Sequence, residues 1–163
     1  MTTPPEDPFA KLQWVIASLR EHCPWTAQLT HEALTPYLVE ESQEVIEEID
    51  AGVLGDPLRR ELGDLLLQIV LHAQIASERE DFDFGGVAEA ITAKLIRRSP
   101  HVFTSEGELS PTQASLEEID SAWQRIKAEE KVEEKTVQKT EQKAPDAVGE
   151  PAESGAGARD DDA

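Results

Sequence analysis

Strand signals are nearly absent from the order of apolar and polar residues in this chain, whereas helical spacing and helix-ending residues recur. Neighbouring helices joined by short connections run in alternating directions. We therefore expect an all-α fold, an antiparallel helical bundle of four to five helices. The predicted helices lie at residues 8–21, 33–51, 57–79, 86–98 and 111–130.

Residues that start helices support these positions. Thr35-Pro36 and Asp56-Pro57 each offer a capping side chain followed by a proline at the first helical position. Residues 110–113, with the sequence SPTQ, match a capping box. These signals predict that helices begin beside each of the three segments.

Two glycines, Gly52 and Gly55, separate the second helix from the third. The connection is short enough to make these two helices an antiparallel hairpin. The first helix presents an apolar stripe suited to packing on that hairpin, formed by Phe9, Leu12, Val15, Ile16 and Leu19.

The third helix is apolar almost all round, apart from one narrow polar stripe. On a wheel of about 100° per residue the stripe covers roughly 80°, and it consists of Glu61, Asp64, Gln68 and His72. A helix with so little polar surface is buried, and it has more apolar area than one short bundle usually hides. We expect a second copy of the chain to complete the bundle, as a homodimer or a dimer of dimers.

Two pairs of carboxylates stand three residues apart on the helices of the hairpin. Glu41 and Glu44 share one helix face, as do Glu61 and Asp64, and the hairpin brings the pairs opposite each other. The first pair, with Glu40, could simply form a solvated face. The second pair lies on the buried stripe, where a carboxylate needs a partner or a metal. The pattern favours a cage for Mg²⁺, which prefers oxygen ligands and joins carboxylates to substrate phosphates.

Basic and aromatic residues later in the chain allow two interpretations. Lys94, Arg97 and Arg98 end the fourth helix, where cations complement the helix dipole, but guanidinium groups also suit phosphate oxygens. Trp123 and Lys127 stand four residues apart on the last helix. Helical spacing favours Trp123 as a core residue, although an indole can also stack on a base beside a lysine that meets phosphate.

The remaining reactive residues carry weaker signals. We interpret His31, His72 and His101 as structural, since nothing in the sequence places two of them together as a zinc pair requires. Cys23 follows a histidine, but adjacency in sequence is not an oriented base, so a merely tolerated thiol is favoured. The sequence does not decide the role of Trp25.

Composition excludes several classes of partner. The 163 residues carry a formal net charge of −19, which argues against duplex DNA and anionic membranes and suits divalent cations. No apolar run has the length of a membrane span, the start MTTPPEDPF lacks the zones of a signal peptide, and the single cysteine suits a reducing compartment. We therefore expect a cytoplasmic protein.

The chain divides by composition into one domain and a tail. We predict a domain over residues 1–130 and an acidic low-complexity tail over residues 131–163. The first part of the tail has helical charge spacing and is expected to prolong the last helix, whereas disorder is expected beyond Pro145.

From about Leu19 to Lys131 the chain resembles the MazG family of nucleoside triphosphate pyrophosphohydrolases, in the all-α NTP pyrophosphatase group. The resemblance rests on LREHCPW, PYLVEESQEVIEEID, RRELGDLLLQIVLHAQIA, DFDFGGVAEAITAKLIRRSPHVF and SAWQRIKAEEK. The paired pattern EExxE with ExxD is shared by the wider group, and its combination with KLxRRxPHVF and WxxIK is typical of MazG.

The resemblance implies Mg²⁺-dependent hydrolysis of nucleoside triphosphates to nucleoside monophosphates and pyrophosphate, with Mn²⁺ as a substitute metal. By motif position, the implied metal ligands are Glu41, Glu44, Glu61 and Asp64. Glu40 would bind a second metal or help to orient the attacking water. The implied contacts to the triphosphate and nucleotide come from Lys94, Arg97, Arg98, Trp123 and Lys127.

Departures from the family pattern leave the substrate open. Thr26, Leu29, Gln43 and Ser99 replace residues that are common in relatives, and they lie near the expected nucleoside side. The alternatives are a pyrophosphohydrolase specific for dUTP or dCTP, one for phosphoribosyl-ATP, and an inactive helical protein that senses nucleotides or dimerises. A metal-buffering acidic protein is a weaker alternative.

Overall fold

The computed structural model describes residues 3–141, with side chains for residues 3–132 and 135. Within that range there is no strand beyond the isolated bridge between Phe103 and Leu109, so the predicted all-α class is confirmed. The disorder expected beyond Pro145 concerns residues outside the described range. Residues 3–141 form six helices: α1 (Pro8–His22), α2 (Pro24–Ala27), α3 (His31–Asp50), α4 (Asp56–Ser77), α5 (Phe84–Arg98) and α6 (Leu116–Glu141).

The start of α3 differs from the prediction. Thr30 caps this helix by accepting a hydrogen bond from the backbone N–H of Ala33 at 3.2 Å, so the predicted cap at Thr35-Pro36 is wrong. Pro36 lies inside α3 and has no N–H to donate to the carbonyl four residues earlier. The helix tolerates this loss near its start. Proline is favoured at the first helical position, which is why Pro36 predicted a later start for this helix.

A glycine turn joins α3 to α4. Gly52 has a φ of 71°, in the left-handed region that favours glycine. Its N–H donates to the carbonyl of Ile49 at 3.0 Å, and the N–H of Val53 donates to that of Glu48 at 2.9 Å. This is a Schellman motif, which ends α3 and reverses the chain direction as the sequence predicted.

The core lies where α1 and the start of α3 pack on α4. The side chains of its buried cluster come from these three helices and are Ile16, Leu34, Val70, Leu71 and Ile75. The second half of α4 is therefore buried as expected, whereas its first half is not: Leu62 is 48% exposed. The expected apolar stripe of α1 is likewise buried only in part, since Phe9 is 59% exposed.

The described residues up to Ile96 form one compact unit, and those from Arg97 onward form another. In the second unit, Ser115 begins α6 through a capping box with Glu118, five residues later than predicted. The backbone N–H groups of Ser110 and Thr112 instead donate to carbonyls at residues 102 and 101. These bonds hold residues 110–112 outside the helix. The helix continues to Glu141, as the charge spacing predicted.

Across the described residues, no helix combines the length and the apolar character needed to cross a membrane. The predicted domain boundary at residue 130 stays a prediction.

Candidate functional site

Three carboxylates meet where α3 faces α4. Glu41, Glu61 and Asp64 each place one oxygen atom within 4.8 Å of the others, and we call these residues the acidic cluster. Glu41 and Glu61 are half-buried, and Asp64 is exposed. The three-residue spacing puts Glu61 and Asp64 on one face of α4, and the antiparallel hairpin turns that face toward Glu41. The arrangement places three oxygen ligands close enough to serve one cation after small side-chain rotations.

Like charges crowd this position. Partial burial is the largest cause of the raised pKa of Glu41, and the charges of Asp64, Glu44, Glu40 and Glu61 raise that pKa further. All four neighbours are carboxylates, so they repel one another. A divalent cation bound to these oxygens would remove the repulsion, which is why the donor set suits a hard metal ion.

The fourth predicted ligand, Glu44, lies at the rim of the acidic cluster. Its side chain is exposed and lies within hydrogen-bonding reach of Glu61. Partial desolvation raises the pKa of Glu44, and the charges of Glu61 and Glu40 add to that effect. Glu40 is also exposed, and its charge acts on both Glu41 and Glu44. The structure thus brings three of the predicted ligands together and leaves Glu44 and Glu40 beside them.

The arginines nearest to the acidic cluster in sequence have a partner of their own. Arg59 donates to Asp56 at 2.6 Å, and the Nε of Arg60 lies 3.8 Å from the same carboxylate. These ion pairs form at the exposed start of α4. Asp56 therefore competes with the acidic cluster for both guanidinium groups.

A cavity of about 240 Å³ opens beside the acidic cluster, and Glu41 contributes to both. Its lining is mostly apolar and comes from α1, α2, α3 and α4 and the segment joining α2 to α3. Trp25, which the sequence left undecided, lines the cavity together with Tyr37. Tyr37 could not be identified from the sequence, because its helix face becomes part of a cavity only when four helices meet.

Gln68 is the polar residue deepest in that lining. It is 4% exposed, and among the side chains that the structure describes its Oε1 atom is buried without a hydrogen-bond partner. The sequence marked Gln68 as part of the polar stripe of α4, between Asp64 and His72. That stripe runs from the exposed end of the helix into its buried half.

Arg20 fixes the wall of the cavity that contains α2. Its Nη1 donates to the backbone carbonyls of Thr26 at 2.5 Å and Leu29 at 3.0 Å. The same guanidinium pairs with Glu78, next to the end of α4, through Nε at 2.8 Å and Nη2 at 2.5 Å. The role of Arg20 could not be predicted from the sequence, since its partners lie in three separate segments.

The two arginines at the end of α5 share one carboxylate partner. In the second unit, Arg97 and Arg98 both donate to Glu130, at 2.7 Å and 2.5 Å. The hydrogen bond from Arg98 is the largest cause of the lowered pKa of Glu130. Arg98 also lies over the ring of Trp123, with 5.3 Å between Cζ and the ring centroid. The sequence missed Glu130, which lies 32 residues from Arg98.

Lys94 and Lys127 differ in exposure. Lys94, in the first unit, is half-buried, whereas Lys127, in the second, is exposed. The substrate-binding roles expected for both residues stay predictions.

The structure brings together two histidines, His31 and His72, that nothing in the sequence placed side by side. The Nδ1 atoms of His31 and His72 are 2.7 Å apart, and the rings are parallel to within 6° and meet edge to edge, with 5.0 Å between centroids. One ring donates its proton to the other, so the pair as a whole shares that proton. Burial, and then the charge of His31, lowers the pKa of His72. The sequence could not show this pair, because 41 residues separate its members.

Comparisons with known proteins relate the segment that contains the acidic cluster to one family. Residues 29–103 match the family described as the MazG nucleotide pyrophosphohydrolase domain, a segment that includes the whole acidic cluster. The nucleoside triphosphate pyrophosphohydrolase/pyrophosphatase MazG of Thermotoga maritima is 45% identical over 125 residues, covering 76% of this chain and 45% of that protein. The nucleoside triphosphate pyrophosphohydrolase of Escherichia coli (strain K12) is 42% identical over 109 residues, covering 67% and 39%.

A solved structure has the same fold. The crystal structure of a mazG-related protein from Thermotoga maritima superposes with a TM-score of 0.59 at 26% identity, covering 72% of this chain and 97% of that one. The curated relatives are longer, and this chain spans less than half of the length of the two named above.

Proposed function

Because this chain belongs to the MazG family through the domain at residues 29–103, we propose that it hydrolyses nucleoside triphosphates to nucleoside monophosphates and pyrophosphate. The observation that carries the proposal is the acidic cluster, in which three carboxylate oxygens lie within 4.8 Å of one another at the meeting of α3 and α4. The names of the relatives support the same reaction.

The metal proposed for the site is Mg²⁺, with Mn²⁺ as a substitute. Glu41, Glu61 and Asp64 would hold it, with Glu44 completing the set from the rim. When bound, such an ion binds phosphate oxygens, withdraws charge from the reacting phosphoryl group and lowers the pKa of water. The mutual repulsion of the carboxylates supports this choice, since a hard divalent cation offsets it.

The chain's own side chains supply orientation. Glu44 lies within reach of Glu61 and would fix the rotamer of that carboxylate. Glu40 faces solvent beside Glu41, where it would accept a hydrogen bond from the attacking water or serve a second metal. Arg97, Arg98, Lys94, Lys127 and Trp123 remain the proposed contacts to the triphosphate and the nucleotide.

A panel of nucleotides tests the reaction. Canonical, deoxy and oxidised triphosphates, together with dUTP, dCTP and phosphoribosyl-ATP, are incubated with the protein and Mg²⁺, and products are separated by chromatography. We expect monophosphate and pyrophosphate in equal amounts, no product with a chelator, and recovery on addition of Mg²⁺ or Mn²⁺. Diphosphate with inorganic phosphate would contradict the proposal, and Mg²⁺-dependent thermal stabilisation without any product would favour an inactive nucleotide sensor.

We further propose that a second copy of the chain covers the exposed apolar face of the hairpin. Large apolar side chains on α3 and α4 are between 40% and 65% exposed: Val39, Ile46, Ile49, Leu62 and Ile69. Apolar residues clustered on one face commonly mark a protein interface. Sedimentation velocity at micromolar concentration should give a dimer or tetramer, and Ile46→Glu should shift it toward monomer. A monomer for the unaltered chain would contradict this.

A further inference from the structure

The cavity beside the acidic cluster points to a site for one part of the substrate. We propose that it holds the base of the nucleotide and that Gln68 Oε1 accepts a hydrogen bond from an N–H group of that base. This inference rests on the proposed function, because the triphosphate held at the acidic cluster is what would deliver the base to the cavity.

Position and size support a base as the occupant. Glu41 lines the cavity and also belongs to the acidic cluster, so a ligand with its phosphates at the carboxylates has its other end at the cavity mouth. The cavity volume of about 240 Å³ lies just below the range of about 300–1,000 Å³ for pockets that enclose whole drug-sized ligands. It therefore suits one flat ring system, with the phosphates outside.

The chemistry of the lining also suits a base. Most of the lining is apolar, as expected for the faces of a ring, and Trp25 and Tyr37 provide aromatic surfaces. Trp25 is 66% exposed and Tyr37 42% exposed, so both rings are open to a ligand. Arg20 holds the α2 wall in place through the carbonyls of Thr26 and Leu29, and the pocket is thereby largely formed before a ligand arrives.

Gln68 provides the polar contact. Within the described part of the chain its Oε1 atom is buried and lacks a partner, and Gln68 is 4% exposed. An unpaired buried carbonyl destabilises a fold, and a ligand N–H that reaches it removes that cost. Exocyclic amino groups and ring N–H groups of bases are donors of this kind. Gln68 would therefore contribute to the choice of base, whereas the acidic cluster is indifferent to it.

Binding measurements separate the base from the phosphates. Calorimetric titrations with Mg²⁺ compare the α,β-methylene analogues of ATP, GTP, CTP and UTP with inorganic tripolyphosphate, which has no base. The variants are Gln68→Met, which keeps length without the amide, and Gln68→Asn, which keeps a shorter amide. Gln13→Met is the matched control, since Gln13 is on α1 and donates to the Phe9 carbonyl in its own helix.

At least one analogue should bind more tightly than tripolyphosphate in the unaltered protein. Gln68→Met should weaken binding of that analogue about tenfold, Gln68→Asn should weaken it less, and neither should change the affinity for tripolyphosphate. Gln13→Met should behave as the unaltered protein does. Thermal denaturation verifies folding, which Gln68→Met should preserve because it removes an unpaired buried group.

Several outcomes of these titrations would overturn the inference. One is equal affinity of the unaltered protein for all analogues and for tripolyphosphate. Another is a change in affinity in Gln68→Met that is equal for every ligand. A third is unchanged affinity in Gln68→Met, which would mean that only water meets Oε1. If pyrophosphate is still released in these cases, the proposed function stands without the base site. Base-dependent binding lost in Gln68→Met, in a protein that releases no pyrophosphate, would support the base site and reject the reaction. Absence of all binding would reject both.

Discussion

The Nδ1 atoms of His31 and His72 lie 2.7 Å apart, which joins the first turn of α3 to the buried half of α4. Only one of the two nitrogens can carry the proton of this hydrogen bond, so the native pair is incompatible with two charged rings. The structure thus predicts that acid weakens the contact between these helices.

The sign follows from the pKa of His72, which burial and His31 lower from its ordinary value of 6.5. The unfolded chain then binds more protons than the native one at pH values just below 6.5, so stability falls as the pH is lowered through that window. We expect a loss of about 1 kcal/mol, the worth of one hydrogen bond. The free energy of unfolding, measured with urea at several pH values between 5 and 8, should depend less on pH in His31→Gln than in the unaltered protein. An unchanged dependence on pH would contradict the role of the pair.

The contacts of Arg20 with Thr26, Leu29 and Glu78, called the Arg20 clamp, should contribute more to the free energy of unfolding than an ordinary surface ion pair does. Its side chain is 10% exposed and holds two carbonyls as well as Glu78, and a lysine cannot reproduce this planar set of donors. Arg20→Lys should cost about 1–3 kcal/mol in unfolding free energy. Arg79→Lys is the control, because Arg79 is exposed and forms a surface ion pair with Asp81 at 3.3 Å. Equal effects of the two substitutions would show that the clamp adds nothing.

Two neighbouring glutamates on α6 allow a buried ion pair to be compared with an exposed one. Glu130 is 5% exposed and accepts from both Arg97 and Arg98, whereas Glu129 is exposed and pairs with Arg125 one turn earlier. Glu130→Gln should lower the protection of α6 against hydrogen exchange by about 1–3 kcal/mol. Glu129→Gln should change it by less than about 0.5 kcal/mol. If the two substitutions have the same effect, Glu130 does not anchor the arginines.

The start of α6 can be tested with two serines. Ser115 forms the capping box with Glu118, whereas the N–H of Ser110 bonds to the Val102 carbonyl outside the helix. Ser115→Ala should destabilise the second unit by about 1 kcal/mol, and Ser110→Ala by a few tenths at most. Amide exchange at the start of α6 would register the difference. A larger effect at Ser110 would favour the helix start that the sequence predicted.

Features that depend on residues within one helix or one turn could be predicted from the sequence. Gly52 and Gly55 predicted the hairpin, because a Schellman motif is a local arrangement. The spacing of Glu61 and Asp64 predicted that both face the neighbouring helix for the same reason. Helix starts were misplaced at Pro36 and Pro111, where the proline signal competed with better caps at Thr30 and Ser115.

Features that join distant segments of the chain could not be predicted from the sequence. The His31–His72 pair, the Arg20 clamp and the Glu130 ion pairs each connect residues 32 or more positions apart, at least in one of their contacts. The cavity beside Glu41 is of the same kind, since its walls come from four helices and the segment between two of them. Of the polar residues that line it, Glu41 and Gln68 stood out in the sequence, Gln68 because it is a polar residue on an apolar helix.

Repulsion within the acidic cluster has a consequence for stability without metal. Burial and four neighbouring carboxylates raise the pKa of Glu41, so its charge is unfavourable in the native state. Glu41→Gln should therefore raise the melting temperature in the presence of a chelator and should abolish the further rise that Mg²⁺ causes in the unaltered protein. An increase with Mg²⁺ equal to that of the unaltered chain would mean that Glu41 is not a ligand.

The most direct measurement is the rate of Mg²⁺-dependent pyrophosphate release by Glu41→Gln beside that of Glu47→Gln, an exposed position on the same helix. If the acidic cluster is the catalytic centre, Glu41→Gln should lose about 100-fold or more in turnover while its helical circular dichroism is unchanged, and Glu47→Gln should remain within about twofold of the unaltered protein. Full turnover in Glu41→Gln would contradict the account.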